Sequence, residues 1–209
     1  MYRILLKETK AETLLPLCSS KFGGMPDVWD EFEWPAATKK GYRLFDESDC
    51  DLDFICQINC VELAEHDKDG ILPKTGMLYF FYDSHSGKQS RKYKTEVFYY
   101  DGDLSELKPY LPTEGNMLSD IGAEVAIKFE YDVYKGDGKW VSGKRADFSD
   151  YLLGVPNVIG QLEFSLPDSQ QLLLQLDSYG SALAVCYLIE KSDLVKKDFY
   201  AAWTKSIYD

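Results

Sequence analysis

Three carboxylates at alternating positions, in the stretch DESDCDLD, are the first residues whose types and spacing suggest metal binding. Asp49, Asp51 and Asp53 resemble the opening of a calcium loop. Such a loop needs glycine at its sixth position and glutamate at its twelfth, where this sequence has Phe54 and Cys60. We therefore expect no calcium site. The same alternation is typical of a strand that turns its carboxylates to water.

Cysteines and histidines, the residues that ligate zinc or act as nucleophile and base, are few and poorly spaced. The five cysteines include no CxxC pair. Cys56 and Cys60 would lie roughly 13 Å apart along a strand, too far to share one ion. The two histidines, His66 and His85, lie in polar stretches without an obvious nucleophile. We expect no metal, no cofactor and no catalytic residue.

The stretch KFGGMPDVWDEFEWP, from Lys21 to Pro35, has the composition of a phosphate loop, an aromatic binding surface or a structural turn. A phosphate loop needs Lys-Ser or Lys-Thr after its glycines and a helix behind them, and this stretch has neither. Gly24 followed by Pro26 is typical of a tight, rigid turn. We interpret the stretch as structural.

The chain is acidic, with 23 Lys and Arg against 35 Asp and Glu and a formal net charge of −12. Such a charge repels nucleic acid, and by itself it suits either solubility or a basic partner. Many of the carboxylates fall between Asp27 and Asp53, a segment with tryptophans that can contact cations. We therefore expect a basic protein or peptide to bind there. The candidate binding residues in this segment are Trp29, Trp34, Asp46, Glu47 and Asp49. The alternative is a solvated loop whose tryptophans pack into the core.

The sequence shows no pattern that would direct the chain into a membrane or out of the cell. In MYRILLKETK the apolar run is broken by Lys7 and Glu8 and is not followed by a cleavage site. No window approaches 18 uncharged apolar residues. With the cysteines interpreted as reduced thiols, we expect a cytoplasmic protein without a membrane partner.

Strand patterns outnumber helix patterns. AEVAIKFEYDVY alternates apolar and polar residues and predicts a strand from Ala123 to Tyr134, and GMLYFFYD and KTEVFYYD predict two more. Helices are predicted in RADFSDYLLG and in the C-terminal SDLVKKDFYAAWTKSIY, where an apolar stripe has helical spacing. That stripe consists of Val195, Phe199, Ala202, Trp203 and Ile207. The prediction is an α+β fold, β-rich with largely antiparallel sheets and a C-terminal helix.

One order of motifs occurs twice: a Gly-x-Pro loop, a glutamine-bearing strand and an aromatic or apolar strand. FGGMPDV, FICQIN and MLYFFYD are matched by LLGVPNV, LLLQLD and AVCYLIE. This predicts a single domain over residues 1–209 with an internal duplication and pseudo-repeat halves at about 20–100 and 145–209. Gln57 and Gln175 have two interpretations. In the first, each glutamine hydrogen-bonds to the backbone of its own Gly-x-Pro turn. In the second, both glutamines line a cleft between the repeats, of which Trp29 or Trp34 forms one wall.

As a set, the motifs SSKFGGMPDVWDEFEWP, LDFICQINCVEL, LPKTGMLYFFYD, LLGVPNVI and LLLQLDS resemble the YwqG-like family of uncharacterised proteins. The resemblance runs from about Ser20 to the C-terminal helix. It implies a duplicated β-rich α+β fold without an assigned catalytic activity. It also implies distant kinship with ribosome-biogenesis proteins that chaperone a basic ribosomal protein, and with domains near bacterial toxin systems. A Trp-Gly-Asp-like turn is missing, since SYGSALAVC retains only Gly180.

Two classes of function remain open from the sequence. The absence of a catalytic grouping favours a non-enzymatic binding module, chaperone-like or antitoxin-like. The alternative is a hydrolase or transferase acting at a cleft between the two repeats.

Overall fold

The computed structural model describes residues 2–10, 14–40, 47–83, 95–112, 123–133, 150–156, 166–177 and 184–207, except the side chains of 37–40 and 47–50. Its strands are β1 Tyr2–Thr9, β2 Lys21–Phe22, β3 Asp27–Val28, β4 Ala36–Lys40, β5 Glu47–Asp51, β6 Asp53–Asn59, β7 Met77–Tyr82, β8 Thr95–Tyr100, β9 Lys108–Pro109, β10 Val125–Val133, β11 Tyr151–Leu152, β12 Gln170–Asp177, β13 Ala184–Glu190 and β14 Trp203–Ile207. The helices are α1 Cys60–Ala64 and α2 Lys191–Val195, and two 3₁₀ turns span Leu104–Glu106 and Phe199–Ala201.

Ten strands form one sheet, in the order β14-β13-β12-β11-β1-β10-β2-β6-β7-β8. Every pairing within it is antiparallel. The edge strands β14 and β8 contact each other, and the hydroxyl of Tyr82, the last residue of β7, lies 2.8 Å from that of Ser206 in β14. The sheet is thus nearly closed, like a barrel. The predicted α+β class is wrong, because the described chain is mostly β and its two helices have five residues each.

The predicted C-terminal helix is wrong as well. Helix α2 ends at Val195, and Lys197 takes a left-handed conformation with φ 60°, which a helix cannot continue through. Val195, expected on the apolar stripe, is 85% exposed. From Trp203 onward the chain is a strand, because the open edge of β13 offers it hydrogen-bond partners along its length.

The helix predicted in RADFSDYLLG is wrong where the structure describes it. Tyr151 and Leu152 form strand β11, which fills the space between β1 and β12. Residues 145–149 lie outside the described residues. Both strand side chains are buried on opposite faces of the sheet, and an isolated helical turn could not provide that burial.

The core has three parts. The interior of the sheet holds the largest cluster, which includes Ile4, Ile58, Phe80 and Tyr187. Outside it, an aromatic layer covers β6, β7 and β8, and a smaller apolar layer covers β12, β13 and β14. Strand β7 is therefore buried on both faces, as its continuous apolar sequence MLYFFY indicates.

The strand order is the same in the two halves of the sheet. On one side of the central pair the order is β10-β2-β6-β7-β8, and on the other it is β1-β11-β12-β13-β14. Lys21 pairs with Gln57 in the first half, and Tyr151 pairs with Gln175 in the second. The strand predicted from Ala123 to Tyr134 is confirmed over Val125–Val133, as β10, and it lies beside β1 at the centre of the sheet.

The irregular positions also recur. The pairing of β6 with β7 shifts between Phe54 and Cys56, and that of β12 with β13 shifts two residues before Gln175, at the corresponding place. The Gly-x-Pro loops begin with a left-handed glycine in both halves, Gly24 at φ 65° and Gly154 at φ 78°. The repeated register supports an internal duplication, which remains a prediction.

Candidate functional site

Gln57 lies fully buried in β6 and holds the first Gly-x-Pro loop. Its Oε1 accepts a hydrogen bond of 2.8 Å from the backbone N–H of Asp27, and its Nε2 donates to the carbonyl of Ser19 at 2.9 Å. Both partners are main-chain atoms: Asp27 directly follows the Gly-x-Pro loop, and Ser19 precedes strand β2, which leads into it. The prediction that Gln57 pins its own loop is therefore confirmed.

A buried charge cluster surrounds this amide. The Asp27 carboxylate accepts hydrogen bonds from Gln57 Nε2 at 2.6 Å and from the Cys18 N–H at 2.9 Å. Lys21 Nζ lies 3.6 Å from Asp27 Oδ2 and 2.9 Å from Glu124 Oε2. Only 2% of Asp27 and 5% of Lys21 is exposed. Such a cluster stabilises the loop only while each charge keeps its partners.

The second half holds its loop with different side chains. The Tyr151 hydroxyl lies 2.7 Å from Gln175 Oε1 and 2.8 Å from the carbonyl oxygen of Val155, the residue between Gly154 and Pro156. The Arg3 guanidinium lies 5.0 Å from the Tyr151 ring. The second half thus has the Arg3–Tyr151 cation–π contact at the place where the first half has the ion pair of Lys21. Tyr151 thus links Gln175 to the Gly-x-Pro loop of the second half.

Burial keeps the described thiols protonated. It raises the pKa of Cys18 to about 11, with a further contribution from the Asp27 carboxylate. Burial also raises the pKa of Cys60 and of Cys186 to about 12, and that of Cys56 well above its usual value. Because thiolates are the nucleophilic form, these cysteines are inert at neutral pH.

Ser20 and Asp150 occupy corresponding positions in the two halves. The carbonyl of Ser20 accepts from Ile127 N–H at 3.0 Å, and that of Asp150 accepts from Leu6 N–H at 2.8 Å. The Ser20 hydroxyl accepts from the N–H of a residue in β6 at 2.9 Å, and the Asp150 carboxylate accepts from Asp177 N–H at 2.7 Å. A carboxyl group thus replaces a hydroxyl. Desolvation by burial raises the pKa of Asp150 to about 6, and the carboxylates of Asp177 and Glu8 add to the rise.

Asp150→Ser should make this protein more stable above pH 6. A carboxyl whose pKa is about 6 when folded and about 3.9 when unfolded binds protons better in the folded state, so stability falls as pH rises from about 4 to about 6. The serine variant should lose that slope and gain about 2 kcal/mol at pH 7.5, measured by urea unfolding at pH 4 and 7.5. Ser20→Asp is the matched control and should create a similar slope. An unchanged slope in Asp150→Ser would contradict the assignment.

Trp29 and Trp34 lie half-buried in the aromatic layer. Trp29 stacks on Tyr100, with ring centroids 5.3 Å apart and planes at 12°, and it meets Phe32 edge-on at 5.1 Å. Trp34 packs against Phe81, 5.3 Å away, and its Nε1 donates to the carbonyl of Leu52 at 2.9 Å. The two tryptophans therefore join segments that lie far apart in the sequence.

Carboxylates border the exposed side of this layer. The Tyr100 hydroxyl lies 3.3 Å from the carbonyl oxygen of Asp103 and 3.4 Å from Glu106 Oε2. Desolvation raises the pKa of Tyr100, and the charges of Glu106, Asp103 and Glu31 add to that rise. Backbone and side-chain hydrogen bonds from Ser105 lower the pKa of Asp103, which favours its charged form.

We name this surface the acidic aromatic patch. Its members are Trp29, Phe98, Tyr100, Tyr200, Glu31, Asp103 and Glu106. Tyr200 is 66% exposed and its ring lies 5.8 Å from that of Phe98. Of these residues, the sequence pointed to Trp29 as a candidate and to Glu31 as part of the acidic segment between Asp27 and Asp53. The stretch FYYDGDLSE, an aromatic strand followed by an acidic turn, was the available signal for the others.

The structure describes the remaining predicted site residues only in part. Asp46 lies outside the described residues. Glu47 and Asp49 belong to β5, opposite Lys40 and Thr38 of β4, and their side chains are not described.

No group of three or more His, Cys, Asp or Glu in the described ranges is arranged to hold a metal ion. Of the helices in those ranges, none is long and apolar enough to span a membrane.

A nearly closed antiparallel sheet, with buried polar clusters holding its loops and an acidic aromatic surface on one half, defines a β-rich domain. The chain belongs to a family described as a domain of unknown function (DUF1963), whose family model matches residues 20–206. The match includes both pinned loops and the acidic aromatic patch, whereas β1 precedes it. A comparison with curated proteins gave no match.

Proposed function

We propose that this protein is a non-enzymatic module that binds a basic protein or peptide at the acidic aromatic patch. The observation that carries the proposal is the stacking of Trp29 on Tyr100, whose hydroxyl lies 3.4 Å from the Glu106 carboxylate. Flat rings with a half-exposed face bind cations, and neighbouring carboxylates strengthen that binding. A chaperone-like or antitoxin-like role fits such a surface.

The charge of the whole chain supports a cationic partner. With a net charge of −12, the molecule attracts basic chains and repels nucleic acid. The protonated, buried thiols support binding over cysteine-based catalysis. The four cysteines described by the structure are free, which supports a reducing compartment such as the cytoplasm. The repeated motifs support a place for the chain in the YwqG-like group of its family.

Removing the charges of the patch should weaken binding of a basic peptide. We expect the triple variant Glu31→Gln, Asp103→Asn, Glu106→Gln to slow association with a fluorescein-labelled peptide of repeated Gly-Ser-Arg-Gly-Ser-Lys units. The loss should be about tenfold at low salt and smaller as salt rises, because exposed carboxylates steer association electrostatically. Stopped-flow fluorescence measures the rate.

A matched control removes the same charge elsewhere. Glu65→Gln, Glu130→Gln, Asp168→Asn changes three exposed carboxylates outside the patch and should retain the rate. A further variant, Asp46→Asn, Glu47→Gln, Asp49→Asn, tests the segment predicted from the sequence. Equal rates in the patch and control variants would contradict the proposal. A loss confined to the third variant would move the site to β4 and β5.

A further inference from the structure

We infer that the acidic aromatic patch selects arginine over lysine in its partner. This inference rests on the proposed function and specifies the side chain that the patch recognises. Within the protein, arginine and lysine side chains contact aromatic rings differently, and the patch presents the kinds of group that Arg3 contacts.

Arg3 provides an internal example of arginine recognition. Its Nε donates to Asp132 Oδ2 at 2.9 Å, while its guanidinium carbon lies 5.0 Å from the centroid of the Tyr151 ring. One planar group thus uses a ring and a carboxylate together. Guanidinium can do so because its donors lie in the plane that faces the ring.

The lysines that face rings in the described structure lie farther away. Lys68 Nζ is 5.9 Å from the Tyr131 ring, and Lys197 Nζ is 5.4 Å from the Tyr99 ring. An ammonium group is a compact, strongly hydrated charge without a flat face, so it gains less from a ring with adjacent carboxylates.

The patch presents the same two groups that hold Arg3. The Tyr100 ring, backed by Trp29, supplies an aromatic face, and the Glu106 carboxylate lies 3.4 Å from its hydroxyl. Among the described residues, no lysine or arginine lies over the ring of Trp29 or Tyr100. Lys108, in β9, is engaged with Asp30 at 2.9 Å. An arginine of the partner could therefore contact a ring and a carboxylate of the patch, as Arg3 does within the protein.

Two peptides of equal length and charge test the inference on the unmodified protein. One carries four Gly-Ser-Arg repeats and the other four Gly-Ser-Lys repeats, and fluorescence anisotropy gives their dissociation constants. We expect the arginine peptide to bind about fivefold tighter or better. Equal affinities would overturn the arginine preference and leave the proposed function standing. Binding of neither peptide would overturn the proposed function itself.

Substitutions in the patch test which residues cause the preference for arginine. Tyr100→Leu should bring the ratio of the two affinities close to one, while Tyr131→Leu, a matched change at a tyrosine that is 42% exposed elsewhere, should preserve it. Glu106→Gln leaves the ring packing intact and should weaken the arginine peptide more than the lysine peptide. Thermal unfolding confirms that each variant is folded. A preference that survives both Tyr100→Leu and Glu106→Gln would place arginine recognition elsewhere and overturn the inference.

Discussion

Lys21→Met should lower the free energy of unfolding by about 3 to 5 kcal/mol, because it leaves a buried carboxylate without its cation. Lys21 Nζ lies between Asp27 Oδ2 and Glu124 Oε2, at 3.6 and 2.9 Å. Asp27 has almost no exposed surface, so water cannot replace the lost charge. Methionine keeps most of the volume of the side chain, which separates the loss of charge from the loss of packing. Urea unfolding at pH 7 measures the effect.

Two further variants serve as controls for Lys21→Met. Lys108→Met breaks an ion pair whose side chains are 68% and 72% exposed, and should change stability by less than about 1 kcal/mol. Adding Asp27→Asn to Lys21→Met should recover part of the loss, since the amide can still accept from Cys18 N–H and carries no charge. If Lys21→Met costs no more than Lys108→Met, the buried cluster does not hold the loop.

Gly76→Ala should destabilise the protein by about 3 kcal/mol or more. Gly76 has φ 86°, and a Cβ atom there would lie 2.2 Å from the carbonyl oxygen of Tyr100, a backbone atom that cannot rotate away. Relief requires the end of β8 to move, and with it the Tyr100 ring that stacks on Trp29. The variant should therefore also bind the basic peptides more weakly. Urea unfolding and fluorescence anisotropy measure the two effects.

Gly70→Ala is the control for backbone strain alone. Gly70 also has a positive φ, 63°, but a Cβ there would meet only the end of the Lys74 side chain at 3.8 Å. The expected loss is about 1 to 2 kcal/mol, the cost of a left-handed alanine. Equal losses in the two variants would mean that the contact with Tyr100 does not matter.

The sequence predicted those parts of the fold in which one local pattern decides the structure. Alternation identified β10, and the continuous apolar run identified β7. The prediction for the C-terminal segment was wrong because its apolar residues fit both the helical and the strand periodicity. Trp203 and Ile207 fit a helical stripe and also face one side of a strand. Pairing with β13 decided between them, and that contact cannot be read from the segment itself.

The candidate site was harder to predict because its parts meet only after folding. Trp29 suggested a cation-binding surface, but its ring partner Tyr100 lies on a strand that reaches it through the order of the sheet. Lys21 and Asp27 look like surface charges in the sequence and are among the most buried polar residues. No periodic pattern in the sequence marks a charge that will be buried, because its burial depends on the partner group that folding places opposite it.

The pairing of β1 with β11, and of β10 with β2, has a consequence for how the chain folds. Strand β1 is the first strand of the chain, yet it completes the half of the sheet formed by the last strands, while β10 completes the half formed by the early ones. Each half thus depends on a strand that the other part of the chain supplies, an exchange like that in a swapped dimer. The two halves should therefore unfold in one transition. Because the central pair joins Tyr2 to Val133, folding must close a long loop before either half is complete, which makes it slow.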